Sequence, residues 1–175
     1  MSATVGGVTR PVATGLTYQS FGGVTGWTYG NGLVRAYSYD IDGRLLGLST
    51  KNGSSDIRQS LTFGYNRADE ITGITNAVNA TLNQQFAYDG ASRLGSVVAN
   101  GADQTFGYDA NGNRSSHTWG GLTDGYAVDA ASNRLSAVTG SRGRSFTLDA
   151  NGNVTASGTA TFGYDAFNRL TSVVK

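Results

Sequence analysis

The chain has 175 residues, 13 basic and 12 acidic side chains, and a formal net charge of +1. Charged residues make up 14% of it, against roughly 25% in an ordinary soluble domain, and no basic stripe is present, which argues against nucleic acid as a partner. Glycine contributes 26 residues, proline 1 and cysteine 0, so collagen, a disulfide frame, a thiolate metal site and a thiol nucleophile are excluded, and no apolar run approaches the roughly 18 residues of a membrane span.

From the N-terminus, Met1 to Pro11 lacks the apolar centre of a secretory signal. Residues 1–36 read as an irregular opening unit whose aromatics are Tyr18, Phe21, Trp27 and Tyr29. From Tyr37 a pattern sets in and continues to the C-terminus, about seven repeats within a single domain spanning 1–175. Each repeat carries a ring or apolar residue, a spacer, Tyr and Asp, then a polar turn. Clear copies are Tyr39-Asp40, Tyr88-Asp89, Tyr108-Asp109 and Tyr164-Asp165, with degraded ones at Tyr65-Asn66, Val128-Asp129 and Leu148-Asp149. The Asp or Asn marks fall at 40, 66, 89, 109, 129, 149 and 165, and three successive steps of 20 establish the repeat.

Two residues before each Tyr position stands Tyr37, Phe63, Phe86, Phe106, Tyr126, Phe146 or Phe162. Residues i and i+2 share one face of a strand, whereas a helix would set them on nearly opposite faces. The spacing therefore predicts strands, and the Thr, Val, Tyr and Phe content agrees. After each mark come turn formers such as Ile41-Asp42-Gly43, Asn111-Gly112-Asn113 and Ala131-Ser132-Asn133, where Gly and Asn tolerate positive φ and an Asp carboxylate accepts a backbone N–H two residues on. An Arg opens the return strand: Arg44, Arg93, Arg114, Arg134 and Arg169. An Asp–Arg pair across the turn would lock it. The Leu after Arg and the Val three residues later, as in Leu135 and Val138, break strict alternation, which requires a β-bulge or a return strand buried on both faces. The Asn-Gly pairs at Asn31, Asn52 and Asn100 mark the opposite turns, and 76–83 is the least patterned stretch. The reading is an all-β chain of stacked antiparallel hairpins forming a curved strip or part of a hollow shell.

Candidate chemistry is sparse. The repeated Asp residues recur once per turn, unlike the unique pair a glycosidase needs. The strings after Asp109 and Asp149 lack the glycine and the final carboxylate of an EF-hand loop. His117 has no recognisable nucleophile beside it and reads as a surface or strand histidine. Arg142 and Arg144 form a local basic spot able to touch phosphate or sulfate. No catalytic residue, metal ligand or cofactor is assigned, and no enzymatic activity is expected. The residues singled out are the repeat turns: Tyr39, Asp40, Arg44, Tyr88, Asp89, Arg93, Tyr108, Asp109, Arg114, Asp129, Arg134, Asp149, Tyr164, Asp165 and Arg169. The rings are expected to pack on those of neighbouring repeats.

Strings such as Tyr108 to Arg114 and Tyr164 to Val173 resemble the YD repeats, also called RHS repeats, of bacterial polymorphic toxins, insecticidal toxin complexes and teneurins. The resemblance covers roughly Tyr29 to the C-terminus. It implies a hollow β-shell that encloses a C-terminal toxic domain in the bacterial proteins and belongs to an adhesion receptor in the animal ones. The Pro- and Asp-containing self-cleavage segment of the family has no counterpart here, since Pro11 is the lone proline, so no catalytic residue carries over. The expected function is a structural scaffold, part of the wall around a toxin cargo, in a secreted or cell-surface protein of bacterial type exported without a signal peptide. The alternative is an extracellular carbohydrate- or protein-binding adhesion module. Expected partners are further YD repeats or copies of the chain through sheet edges, an enclosed toxin domain, or a glycan.

Overall fold

The computed structural model describes residues 2–175. A two-stranded ribbon, β1 (Ser2–Val5) and β2 (Val8–Pro11), opens the chain. Sixteen strands follow: β3 (Ala13–Tyr18), β4 (Val24–Tyr29), β5 (Val34–Tyr39), β6 (Leu45–Asn52), β7 (Asp56–Tyr65), β8 (Ile71–Asn76), β9 (Gln84–Tyr88), β10 (Leu94–Ala99), β11 (Gln104–Tyr108), β12 (Arg114–Trp119), β13 (Leu122–Val128), β14 (Leu135–Thr139), β15 (Arg144–Leu148), β16 (Val154–Ser157), β17 (Ala160–Tyr164) and β18 (Leu170–Val174). A 3-10 turn, Ala80–Leu82, separates β8 from β9, and no α-helix occurs among the described residues. The sixteen strands form one open sheet in strict chain order, with β3 and β18 at its edges. The chain is thus all-β, as its period of two requires. It groups into two compact units, one running to Ser92 with Val98–Asn100, the other Arg93–Val97 with Gly101–Lys175.

Each odd-numbered strand from β5 to β17 ends on the residue before a mark, so the marks lie along one rim. The turns share one design. Asp40 N–H donates to Arg44 C=O at 2.9 Å, and Gly43 N–H to Asp40 C=O at 3.2 Å. The same pair of bonds closes the turns at Asn66, Asp109, Asp149 and Asp165, while the turn at Asp129 is one residue longer and closes on Arg134. This is a three-residue hairpin loop whose last residue must be left-handed. Glycine fills that place at Gly43 (φ +83°), Gly112 and Gly152, but Asp69, Ser92, Asn133 and Asn168 occupy it too, with φ between 57° and 62°. The opening stretch has the same closing bonds, with Gln19 N–H donating to Gly23 C=O at 3.0 Å, but its left-handed residue is Phe21, in the middle of the loop.

A bulge follows every such turn for which the register is defined. Tyr39 pairs with Leu45 but Ser38 with Gly47, Tyr65 with Ile71 but Gly64 with Gly73, and Tyr164 with Leu170 but Gly163 with Ser172. The extra residue resets the alternation. Leu170 and Val173, three apart in sequence, therefore face Tyr164 and Phe162, which are two apart; Leu135 and Val138 face Val128 and Tyr126 in the same way. The bulge, and not double-sided burial, explains the broken pattern.

Burial confirms a single layer. Val97, 7% exposed, is the one buried apolar side chain among the described residues, whereas all five residues of β18 are exposed. Cohesion therefore rests on the backbone ladder and on cross-strand side-chain pairs, each contributing about 0.2–1 kcal/mol.

Candidate functional site

The rim of turns brings most of the singled-out residues together. Within a turn, the mark's carboxylate serves its own loop. Asp40 Oδ1 accepts the Asp42 and Arg44 N–H groups, and its Oδ2 takes Arg44 Nε at 2.6 Å. Asp165 and Arg169 repeat this, with Nε–Oδ2 at 2.7 Å. In the turns that end in Asn, Asp109 and Asp149 instead accept the amides of Asn113 and Asn153, at 2.9 and 2.8 Å. At Asp129 the acceptor is filled by Ser132 through both N–H and hydroxyl. Arg114, after the first of these turns, lies instead over the rings of Phe106 and Tyr126.

Hydrogen bonding settles the protonation of these carboxyls. The Asn113 and Asn153 amides hold Asp109 and Asp149 below the usual carboxylate range, against a smaller opposing effect of burial. The Arg169 N–H and guanidinium do the same for Asp165, and Ser132 for Asp129. At Asp40 burial pushes the other way most strongly, yet the combined bonds from Arg44 outweigh it and the net shift is downward.

Adjacent turns are also fastened to one another. Arg44 bonds Asp69 of the next turn. Arg93 donates to Asp109 C=O at 3.1 Å, and Arg134 to Asp149 C=O at 3.3 Å. The Asn113 amide reaches Asn133 Oδ1 at 2.7 Å and that of Asn153 reaches Asn168 Oδ1 at 2.9 Å. One step inward, the Tyr before each mark repeats a single contact with the preceding unit. Tyr39, Tyr65, Tyr88, Tyr108 and Tyr164 donate their hydroxyls to the carbonyls of Val24, Leu45, Ile71, Leu94 and Val154, at 2.9–3.1 Å. The Tyr side chain therefore joins units through its hydroxyl, with arginine over the ring at Arg44–Tyr65 and Arg93–Tyr108. Between strands the aromatic rings of Trp27 and Tyr37 meet tilted, with centroids 5.6 Å apart. Tyr108→Phe should accordingly cost about 0.5–1.5 kcal/mol, while Tyr126→Phe, whose hydroxyl makes no such bond, should leave the melting temperature unchanged. Equal melting shifts would refute a hydroxyl-based joint.

A second cluster escaped the repeat pattern. Phe106, His117 and Asp124 lie opposite one another across β11, β12 and β13. His117 is 8% exposed and Asp124 2%. Arg142, in the loop between β14 and β15, donates to Asp124 Oδ2 through Nε and to His117 Nδ1 through Nη2 at 2.9 Å. An Nδ1 that accepts leaves the proton on Nε2, which donates to Gln104 Oε1 at 2.9 Å. The imidazole stacks on Phe106 at 4.8 Å. Burial, then the charges of Arg142 and Arg114, push its pKa below the usual histidine value, with Asp124 opposing. For Asp124 burial raises the pKa, but the Arg142 bonds prevail and the carboxyl stays low. The histidine is thus a buried strand residue, and Arg142 is engaged by Asp124 and His117 rather than presented to an anion. The sequence signal was a carboxylate at Asp124, on the same strand face as Tyr126 and Val128.

No group of three or more His, Cys, Asp or Glu able to hold a metal occurs among the described residues, and no helix is long and apolar enough to cross a membrane.

A run of tyrosine-marked, bulged hairpins fastened turn to turn is the signature of one kind of repeat. Residues 56–175 match the Teneurin YD-shell family. The chain belongs to that family. Similar solved structures include the Photorhabdus luminescens Tc holotoxin pore, at 20% identity and TM-score 0.78, over 96% of this chain and 10% of that one. The TcdB2–TccC3 complexes are also similar. One has 17% identity, TM-score 0.68 and coverage of 97% and 11%. The other, lacking its hypervariable C-terminal region, has 15% identity, TM-score 0.58 and coverage of 96% and 10%. At such identities these structures speak for the fold, and the YD-repeat chain spans about a tenth of each. No curated protein matches it.

Proposed function

We propose that this YD-repeat chain is a wall segment of a β-shell, a non-enzymatic scaffold that screens a toxin cargo and acts outside the cell that makes it. The observation that carries this reading is the open single-layer sheet, its turns fastened to one another along the rim, with β3 and β18 at its two edges. A sheet built to stand alone buries one face or closes on itself; this one is joined for extension. The turn carboxylates are spent on their own loops, which supports a structural role for Asp40, Asp89, Asp109, Asp129, Asp149 and Asp165 over a catalytic one. The solved relatives are toxin components, which supports a toxin as the cargo. Edge pairing supplies the partners: further YD repeats, or copies of this chain where repeats are lacking.

A free edge strand templates pairing with another chain, and charge blunts it. Light scattering across a concentration series should show self-association of the 175-residue chain. Val174→Lys, which places a charge on the exposed end of β18, should shift it toward monomer. A β-rich monomer at high micromolar concentration would overturn this reading.

A further inference from the structure

The stretch 76–83, the one break in the repeat rhythm, builds an open cleft of about 430 Å³ against β6 and β7, lined by Thr50, Arg58, Gln59, Asn76, Asn79 and Leu82. Its loop is internally fixed. Asn76 Oδ1 accepts the N–H groups of Val78 and Asn79, Asn79 Oδ1 accepts Thr81 N–H, and Asn83 Oδ1 accepts Asn76 N–H at 2.7 Å. These backbone donors fix which end of each Asn76 and Asn79 amide is oxygen. Gln59 Oε1 and Thr50 Oγ1 both accept from Arg35 Nη1. Every lining amide oxygen is therefore occupied from within, and what Asn76, Asn79 and Gln59 retain is their N–H2 groups. The amide side chains of the cleft present donors.

A second observation gives the sign of the charge it suits. Arg58 is matched by Asp56, with Nε–Oδ1 at 2.8 Å. Arg35, beside Thr50 and Gln59 in the same cross-strand row, donates only to neutral oxygens, and its buried Nε has no hydrogen-bond partner. A half-buried guanidinium without a counter-charge is costly, and an anion nearby offsets that cost. The rim adds exposed apolar carbon at Val78 and Leu82, 49% and 58% exposed. An acceptor-rich, negatively charged ligand with a C–H face satisfies all three features at once.

From this donor-lined cleft beside a guanidinium without a counter-charge, we infer that the chain binds an acidic saccharide, its carboxylate and hydroxyls held by the Gln59, Asn76 and Asn79 amides and a sugar face resting on Leu82. The site lies within β5 to the 3-10 turn and does not depend on whether the sheet continues into a shell. An open cleft with a single uncompensated charge implies weak, rapidly exchanging binding.

The test is an NMR titration of the 175-residue chain with glucuronate, glucose and acetate. Saturable shifts confined to the cleft are expected with glucuronate, and no more than weak ones with glucose or acetate. Gln59→Glu keeps the oxygen that Arg35 uses but replaces the outward donor with a second oxygen and neutralises the guanidinium. It should leave melting unchanged or raised and weaken glucuronate at least about tenfold, as expected for losing a hydrogen bond to a charged group. Leu82→Ala, on the exposed rim, should weaken glucuronate without affecting melting. Glucuronate binding unchanged in Gln59→Glu, or glucose bound as well as glucuronate, would overturn the assignment. Acetate bound as tightly as glucuronate would refute the saccharide, and no shift with any of the three would refute the site.

Discussion

Gly140→Ala is expected to be strongly destabilising, because strain and steric clash fall on the same residue. Gly140 has φ +93°, and a Cβ there would stand 2.3 Å from the Thr123 carbonyl oxygen and 2.7 Å from Asp124 Oδ1. The first obstacle is backbone of the neighbouring strand, which cannot swing aside as a side chain can. The second is the carboxylate that anchors Arg142. A left-handed non-glycine residue alone costs of order 1–3 kcal/mol, and the steric displacement adds to it, so a total above about 3 kcal/mol follows. Gly43 supplies the control, because its φ is +83° and nothing lies within 4 Å of its Cβ position. Gly43→Ala should therefore show only the conformational cost, about 1 kcal/mol. Thermal melts of the two variants should differ several-fold in shift, and comparable shifts would show that the strand β13 backbone yields more easily than its hydrogen bonding implies.

That contrast also shows what was legible in the residues. The strand pairs, the rim of marks and the open all-β sheet followed from rings at i and i+2 and from a fixed step, because both are local and recur. The bulge was half legible: Leu135 and Val138 announced a phase slip, but only the register Val128–Leu135 with Ala127–Ala137 says where the extra residue sits. The turn at Gln19 was invisible, since a Gln mark and Phe21 carry none of the Asp-x-x-Gly chemistry although the closing bond is the same. The use of the arginines was not legible either. Arg44 pairs within its turn and also with Asp69 of the next, while Arg93 and Arg134 donate to carbonyls of the next turn; such reach depends on the distance between turns, which no single repeat encodes. The His117 cluster joins positions 104, 117, 124 and 142 through strand register and a loop, so its members share no spacing that a scan along the chain could detect.

The cluster around His117 should make the protein acid-sensitive in two separate stages. His117 has a folded pKa below its unfolded value of 6.5. Between those two values the unfolded chain binds the proton more readily, so stability falls as pH drops from about 6.5 and levels off below the folded value. The carboxylates behave in the next window. Asp40, Asp109, Asp124, Asp129, Asp149 and Asp165 all sit below the model-peptide value of 3.8. Their contribution is complete above that value and is lost as pH falls through their folded pKa values. Melting temperature against pH should therefore show one decline beginning near 6.5 and a steeper one below about 4. His117→Gln, which keeps a polar group on Gln104 and Arg142 but cannot titrate, should erase the first decline and spare the second. Arg142→Met separates the charges further. It leaves the Asp124 carboxylate, 2% exposed, without its cation, and removing one member of a buried pair is strongly destabilising. In that variant both Asp124 and His117 accept protons more readily, since the charge that suppressed protonation is gone. Its deficit relative to the parent chain should thus be greatest at pH 7 and shrink toward pH 5. A deficit that stays constant over that range would mean that Arg142 contributes by packing alone and that the buried histidine and carboxylate do not sense its charge.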